Sequence, residues 1–183
     1  MSWGGNQANR GKPLEEMLTI TNEQYRSQRR LVMHKVPTEW IPLRGPRETP
    51  GGIINAITGA KVEKEASVDY LGAYKGRSIA YEAKYVGAAK EKAIRWDRVE
   101  PHQELFMQDW QEIGQGISFI LVGFQMFHFA AVPWDIWQKG LDNMRAGTGK
   151  KSINLKEFDP AWTVEMGKRV VLDYLTTVDR LFF

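Results

Sequence analysis

The chain has no cysteine among its 183 residues, which excludes disulfides and thiolate chemistry and makes a cytoplasmic setting the default expectation. It has no apolar run near the roughly 18 residues that a membrane-spanning helix needs, so no membrane partner is expected. Met1-Ser2-Trp3-Gly4-Gly5-Asn6 lacks the basic-then-apolar pattern of a secretory signal. There is no internal repeat and no low-complexity tract. Histidine is scarce: His34, His102 and His128 have no metal-ligand spacing, and His128, within an apolar run, reads as a core or edge residue. A large charge excess is also missing. Lys and Arg total 25 against 22 Asp and Glu, a net charge of +3 with pI near 9.1, which permits a DNA partner without requiring one. Gly147-Thr148-Gly149-Lys150-Lys151-Ser152 is not a phosphate-binding loop. Met144 stands where that motif needs glycine, and Lys151 where it needs Ser or Thr, leaving a basic loop suited to a DNA backbone.

At 43% apolar residues the chain can bury a core, and its length suits one domain, 1–183. Residues 1–11 are rich in Gly and Asn and read as a flexible N-terminus. Leu14, Met17, Leu18, Thr21 and Tyr25 recur at helical spacing, which predicts a helix over 13–29 with Pro13 near its start. A short β-rich run, 31–36, ends at Pro37. Residues 37–66 break every pattern, with Pro37, Pro42, Pro46, Pro50 and Gly51-Gly52. A hairpin over 67–86 follows. Pro101 opens a second helix in which Phe106, Trp110 and Ile113 share a face and Gly114 caps the end. Residues 117–124 read as a strand covered on both faces, and 127–132 as a second strand joined to it by a tight turn. Residues 134–141, where Trp134 and Trp137 share a face, and 165–175 read as helices. Strands and helices in mixed order indicate an α/β domain with a central mixed sheet flanked by helices.

Chemistry concentrates in the hairpin. Lys75-Gly76 is a tight turn with Gly76 free to take positive φ. Side chains alternate along a strand, so Ile79, Tyr81 and Ala83 face one way and Ala80, Glu82 and Lys84 the other. The turn returns the second face toward Asp69. Two acids and a lysine on adjacent strands can hold a hard divalent cation and stabilise charge on a phosphate. They can equally decorate a solvated face.

Asp69, followed by Glu82-Ala83-Lys84, resembles the PD-(D/E)xK nuclease core, and the surrounding residues narrow the likeness. Asn9-Arg10-Gly11 before Leu14-Glu15, Asn22 and Tyr25, and His34-Lys35-Val36-Pro37-Thr38 fit one branch. So do Ser67-Val68-Asp69-Tyr70, His102-Gln103, Gly116-Ile117-Ser118-Phe119 and the tail from Tyr174 to Phe183. In this order and spacing the chain resembles the RecU-type Holliday junction resolvases along nearly its whole length. Ser67, where Thr is more usual, and the Lys- and Arg-rich stretch from Tyr85 to Val99 are departures.

The resemblance implies a restriction-endonuclease-like fold and a structure-selective endonuclease that nicks four-way DNA junctions symmetrically during recombination and repair. The nicks would be ligatable, with 5′-phosphate and 3′-hydroxyl ends. Catalysis would fall to Asp69, Glu82 and Lys84. Mg²⁺, or Mn²⁺, would be held by Ser67, Asp69, Glu82 and Gln103, with Glu15 as a supporting acid. Arg10, Lys35, Arg44 and Arg47 would touch DNA. Paired cuts need two sites, hence a homodimer, with the apolar strands and Leu181-Phe182-Phe183 as candidate interface parts. A RecA-type recombinase or branch-migration machinery is a further expected partner. Residues 37–66 would be a stalk entering the junction centre, with Trp40, Ile41 and arginines on bases and phosphates; the other reading is a solvated loop. Rival functions are a PD-(D/E)xK endonuclease acting on linear duplex, and a non-catalytic junction-binding modulator of a recombinase.

Overall fold

A computed structural model describes residues 11–64, 67–88, 91–167 and 169–183. Arg10 and the rest of 1–10 lie outside the described residues, and of Trp40 and residues 62–64 only the backbone is described. Helix α1 (Lys12–Ser27) begins with Pro13 in its first turn and buries Leu14, Leu18, Thr21, Asn22 and Tyr25 along one stripe. Strand β1 (Val32–Lys35) follows, then β2 (Glu39–Thr49) and β3 (Gly52–Lys64). Next come β4 (Tyr70–Tyr74), β5 (Arg77–Val86), β6 (Ala93–Arg95) and α2 (Pro101–Glu112). The rest is β7 (Ile117–Phe124), β8 (His128–Pro133), α3 (Trp134–Arg145), β9 (Ser152–Asn154), β10 (Thr163–Val164) and α4 (Tyr174–Phe182).

Six strands form the central sheet in the order β1-β4-β5-β7-β8-β10. All pairings are antiparallel except β5 with β7, whose connection runs through α2. The face alternation read in the hairpin holds. Ile79, Tyr81, Phe119 and Leu121 pack under α1 and α4 with Leu14, Leu18, Tyr174 and Leu175. Ala80, Ile120 and Val122 pack under α2 and α3 with Met107, Trp134 and Trp137. Burying each of these large side chains contributes about 2 kcal/mol. The central mixed sheet flanked by helices is as expected. Among the described residues no helix is long and apolar enough to cross a membrane.

Lys75 and Gly76 both take positive φ, 49° and 78°, in a two-residue turn closed by the Tyr74–Arg77 pair, which sets the register of β4 on β5. Gly72 lets β1 approach, since a Cβ there would stand 2.0 Å from the Val32 carbonyl oxygen.

Three expectations need correction. Residues 37–66 are not patternless: β2 and β3 pair antiparallel from Thr49–Gly52 at the tip back to Glu39–Lys64. Among the described residues this arm packs on no other helix or strand beyond marginal contact. At a rise of about 3.3 Å per residue, its tip stands roughly 33 Å from its base. Residues 165–175 are not a helix. Glu165 bridges to Asp173, Val170 and Leu172 are buried in a run of bends, and helix begins only at Tyr174. Ile113, the C-cap of α2, is 79% exposed and does not join Phe106 and Trp110 in the core. His128 begins β8 and is exposed at the strand's end, in keeping with the edge alternative of the sequence reading.

Candidate active site

Asp69 lies one residue before β4, held there because its carbonyl accepts the Val36 N–H at 2.8 Å. Across from it, Glu82 projects from the middle of β5 toward α2 and is 3% exposed. Backbone donors tie the two acids together. The Asp69 N–H donates to Glu82 Oε2 at 2.9 Å, and the Ala83 N–H donates to Asp69 Oδ2 at 2.9 Å. Lys84, two residues along the same face, donates from Nζ to Glu82 Oε1 at 2.8 Å. Gln103, in the first turn of α2, donates from Nε2 to the same oxygen at 2.8 Å. Its Oε1 accepts from Lys84 Nζ at 3.3 Å and from the Glu100 N–H at 3.0 Å, as in a capping box.

Burial first, and the Glu82 charge second, push the Asp69 carboxyl up to about 7, against the opposing Ala83 hydrogen bond and Lys84 charge. Asp69 Oδ1 accepts no hydrogen bond among the described residues. A carboxylate oxygen left open beside a second carboxylate suits a hard cation, and all the donors are oxygen. Among the described residues no third Asp, Glu or His completes the cluster. The remaining positions around a cation would fall to carbonyl, water and phosphate oxygens, a pattern that fits Mg²⁺.

Of the residues named from sequence, Asp69, Glu82, Lys84 and Gln103 come together. Ser67 is two residues upstream and half-buried. Glu15 stands on the α1 side, near enough for its charge to raise Asp69 further. It is ion-paired with Lys35 at 2.5 Å, both side chains being largely exposed. Lys35 pairs with Tyr70 across β1 and β4, one strand from the acids. Arg44 and Arg47 are exposed on β2 of the arm, away from the cluster. In the basic loop, Lys150 is ion-paired with Glu157.

Sequence reasoning missed the framework behind the site. Asn22 Nδ2 donates to the Tyr81 hydroxyl at 3.0 Å, and the Tyr174 hydroxyl donates to Asn22 Oδ1 at 2.5 Å. The Tyr25 hydroxyl donates to Asp173 at 2.7 Å and accepts from the Leu175 N–H at 3.2 Å. These bonds fix α1 and α4 to the strand that carries Glu82. Nothing local in the sequence shows them. The role of Glu100 had a signal, namely its spacing of three residues from Gln103 at a helix start led by Pro101.

The Recombination protein U (RecU) family model matches residues 9–180. The chain belongs to the RecU family. The Holliday junction resolvase RecU of Geobacillus kaustophilus is 31% identical over 185 residues, covering 96% of this chain and 86% of that one. The RecU of Oceanobacillus iheyensis is 31% identical with 96% and 88% covered, and that of Bacillus subtilis 27% with 96% and 82% covered. The family model thus spans the acid cluster, the arm, helices α1 to α3 and most of α4. Among solved structures, Archaeoglobus fulgidus Hjc, a Holliday junction resolvase, aligns with 69% of this chain and 74% of its own. At 10% identity and a TM-score of 0.40 it adds nothing to the RecU assignment.

Proposed function

We propose that this chain is a metal-dependent Holliday junction resolvase, one nuclease domain over 1–183 that nicks two strands of a four-way DNA junction symmetrically. The observation that carries this reading is the buried Asp69–Glu82–Lys84 cluster, in a chain of the RecU family. A nuclease needs acids that gather a cation and a lysine that meets phosphate charge. A binding-only relative has no use for two acids held together at a cost in buried charge.

Asp69 and Glu82 are the carboxylates that would hold Mg²⁺ or Mn²⁺, with Ser67 flanking them by hydroxyl or backbone carbonyl. A bound Mg²⁺ supplies a water of lowered pKa and a Lewis acid for the phosphate. Lys84 orients the attacking water and offsets charge on the phosphate in the transition state. Glu15, at the mouth, supports the site through water, and Lys35 beside it exchanges its carboxylate partner for a DNA phosphate. The backbone N–H groups of Asp69 and Ala83 keep the acids in register, so they need no reorganisation when substrate arrives.

One site cuts one strand, so two copies related by a two-fold axis make the paired cuts. The arm enters the open centre of the junction and carries Arg44 and Arg47 to its phosphates. A RecA-type recombinase or branch-migration machinery would deliver the junction. Cleavage of an immobile four-way junction and of a linear duplex of the same arm sequence, each with Mg²⁺, tests the proposal. Paired nicks confined to the junction support it. Equal cutting of both makes this a duplex endonuclease, and binding without cutting makes it a modulator.

A further inference from the structure

Two cation-rich segments, far apart in sequence, meet beside the acid cluster. One is the Lys- and Arg-rich stretch that follows β5, the other the basic loop 147–152. β6 pairs antiparallel with β9, Ile94 opposite Ile153 and Arg95 opposite Ser152. Bonding continues past both strand ends: the Trp96 N–H donates to the Lys151 carbonyl at 3.2 Å, and the Leu155 N–H to the Lys92 carbonyl at 2.7 Å. Ile94, Ile153 and Trp96 are buried, and Trp137 Nε1 on α3 donates to the Trp96 carbonyl at 3.0 Å. The loop before β9 is pinned as well, since the Thr148 and Gly149 N–H groups both donate to the Asn143 carbonyl, at 2.9 and 3.0 Å. Lys92, Arg95, Arg98, Lys150 and Lys151 are exposed on this fixed ribbon and its flanks. Arg95 is ion-paired with Asp97 and Lys150 with Glu157. Lys92, Arg98 and Lys151 have no ion-pair partner among the described residues. Of the acids beside them, Asp97 and Glu157 are paired and Glu100 caps α2, which leaves Glu91 against three cations.

We propose that the β6–β9 ribbon is a docking surface for the phosphate backbone of duplex DNA, holding one arm of the substrate beside the cut. This rests on the DNA-cleaving reading of the acid cluster and adds a contact that the β2–β3 arm does not make. Position carries it first. Arg98 is two residues before Glu100, whose N–H donates to Gln103 Oε1 at the acid cluster. Two residues of chain span at most about 7 Å, so the ribbon ends at the wall of the site. The chemistry of the partner follows from what the ribbon exposes. No large apolar side chain of residues 91–98 or 147–157 is exposed, whereas a protein interface draws its energy from a buried apolar and aromatic centre. Unpaired ammonium and guanidinium groups on a fixed backbone suit a regular row of phosphates. The exposed Arg95–Asp97 and Lys150–Glu157 pairs contribute little to stability, so their cations are available to phosphate too. The β2–β3 arm meets the open centre of a junction, which a linear duplex lacks. The ribbon grips paired DNA, which both forms have.

Binding isotherms of the full chain in Ca²⁺, over a salt series, test the ribbon on a four-way junction and on its matching linear duplex. Arg98→Ala combined with Lys151→Ala should weaken binding to both DNA forms by the same factor, roughly tenfold or more, since each change removes a charge-assisted contact. The salt slope should fall by about two units on both, one per lost phosphate contact. Arg26→Ala combined with Arg29→Ala, exposed cations near the end of α1 on the opposite layer, should leave both isotherms nearly unchanged. At saturating junction and Mg²⁺ the ribbon variant should turn over at close to the wild-type rate, because neither group touches the reacting phosphate. An unchanged salt slope, or a loss no larger than that of the α1 variant, would overturn the proposal. A loss confined to the junction would place these residues at its centre and would overturn it as well. The chain has no cysteine, so Lys151→Cys carrying a photo-cross-linker gives a readout independent of affinity. It should capture duplex within about one helical turn, ~10 base pairs, of the cut, and failure to capture DNA there counts against the ribbon. If wild type binds neither DNA form, the nuclease reading fails and the ribbon with it. If wild type cuts the junction while the ribbon variant binds as wild type does, the ribbon alone fails.

Discussion

Glu82, opposite Ile120 in the parallel β5–β7 pair, and Arg47, opposite Ile54 in the antiparallel arm, both sit mid-strand, yet the two positions share almost no physics. Glu82 is 3% exposed, covered by α2 and held by three donors from three separate elements. Arg47 is exposed on a two-stranded ribbon with no sheet or helix beneath it among the described residues. Ile53, Ile54 and Ile57, near the arm's tip, are 71%, 48% and 60% exposed. An isolated ribbon with both faces wet is marginally stable. A patch of exposed isoleucines marks a surface with something to meet. Chemistry is thus placed where the fold is most constrained, and recognition where it is least.

The largest effect to break this contrast is at the acids. Glu82→Gln and Asp69→Asn should abolish cleavage while leaving junction binding within a few-fold of wild type, because the arm and the outer cations are untouched. Quenched cleavage assays beside binding isotherms in Ca²⁺ measure both. Turnover near wild type by either variant would remove the acid pair from the mechanism.

Lys84→Ala comes next. Loss of a charge-stabilising group at a transition state should lower the metal-saturated rate by roughly 10²-fold or more. It also leaves Glu82 without its ion-pair partner, so a thermal melt must accompany the rate. A wild-type rate from a folded variant would leave Lys84 a structural role only.

Shortening the arm sharpens the contrast from the other side. Replacing residues 41–61 with a short turn should weaken four-way junction binding far more than duplex binding, while the melt of the sheet core is nearly unchanged. Arg44→Ala and Arg47→Ala should act in the same direction, more weakly. Each should lower the salt slope of binding by about one unit per lost phosphate contact. Equal small losses on both DNA forms would return the arm to a passive insertion.

The smallest effect is on stability. Asp69 is pushed up to about 7 in the folded protein from an ordinary value of 3.8, chiefly by burial. The folded state therefore binds a proton that the unfolded chain has already released between those values, and this group makes folding less favourable as pH rises through that window. Asp69→Asn removes the penalty. In EDTA, its melting temperature relative to wild type should rise from pH 4 to pH 7.5, and a flat difference would contradict the assigned burial.

Much of the acid centre was readable before any coordinates because strand alternation is local. Ala80, Glu82 and Lys84 must share a face, and a Lys-Gly turn must return that face to Asp69. The arm was unreadable as strand because Pro42, Pro46, Gly45 and Gly59 argue against one. They are tolerated because each strand of a lone ribbon pairs on one side only, so the other edge can lack N–H donors. The start of α4 was misplaced for a different reason. Val170, Leu172 and Leu175 are buried, which imitates helical periodicity, but residues 169–172 bend and the segment is tied to Thr21, Gln24 and Tyr25 of α1. Contacts about 150 residues apart in sequence leave no local trace.

The account turns on a buried acid pair that cuts the junction, with recognition supplied elsewhere. The most direct measurement maps the products from a synthetic immobile four-way junction and its matching duplex, in Mg²⁺, for wild type and Glu82→Gln. The account predicts two symmetric, ligatable nicks by wild type on the junction, none on the duplex, and none on either by Glu82→Gln despite retained binding. Nicking by Glu82→Gln, or duplex cutting as fast as junction cutting by wild type, would contradict it.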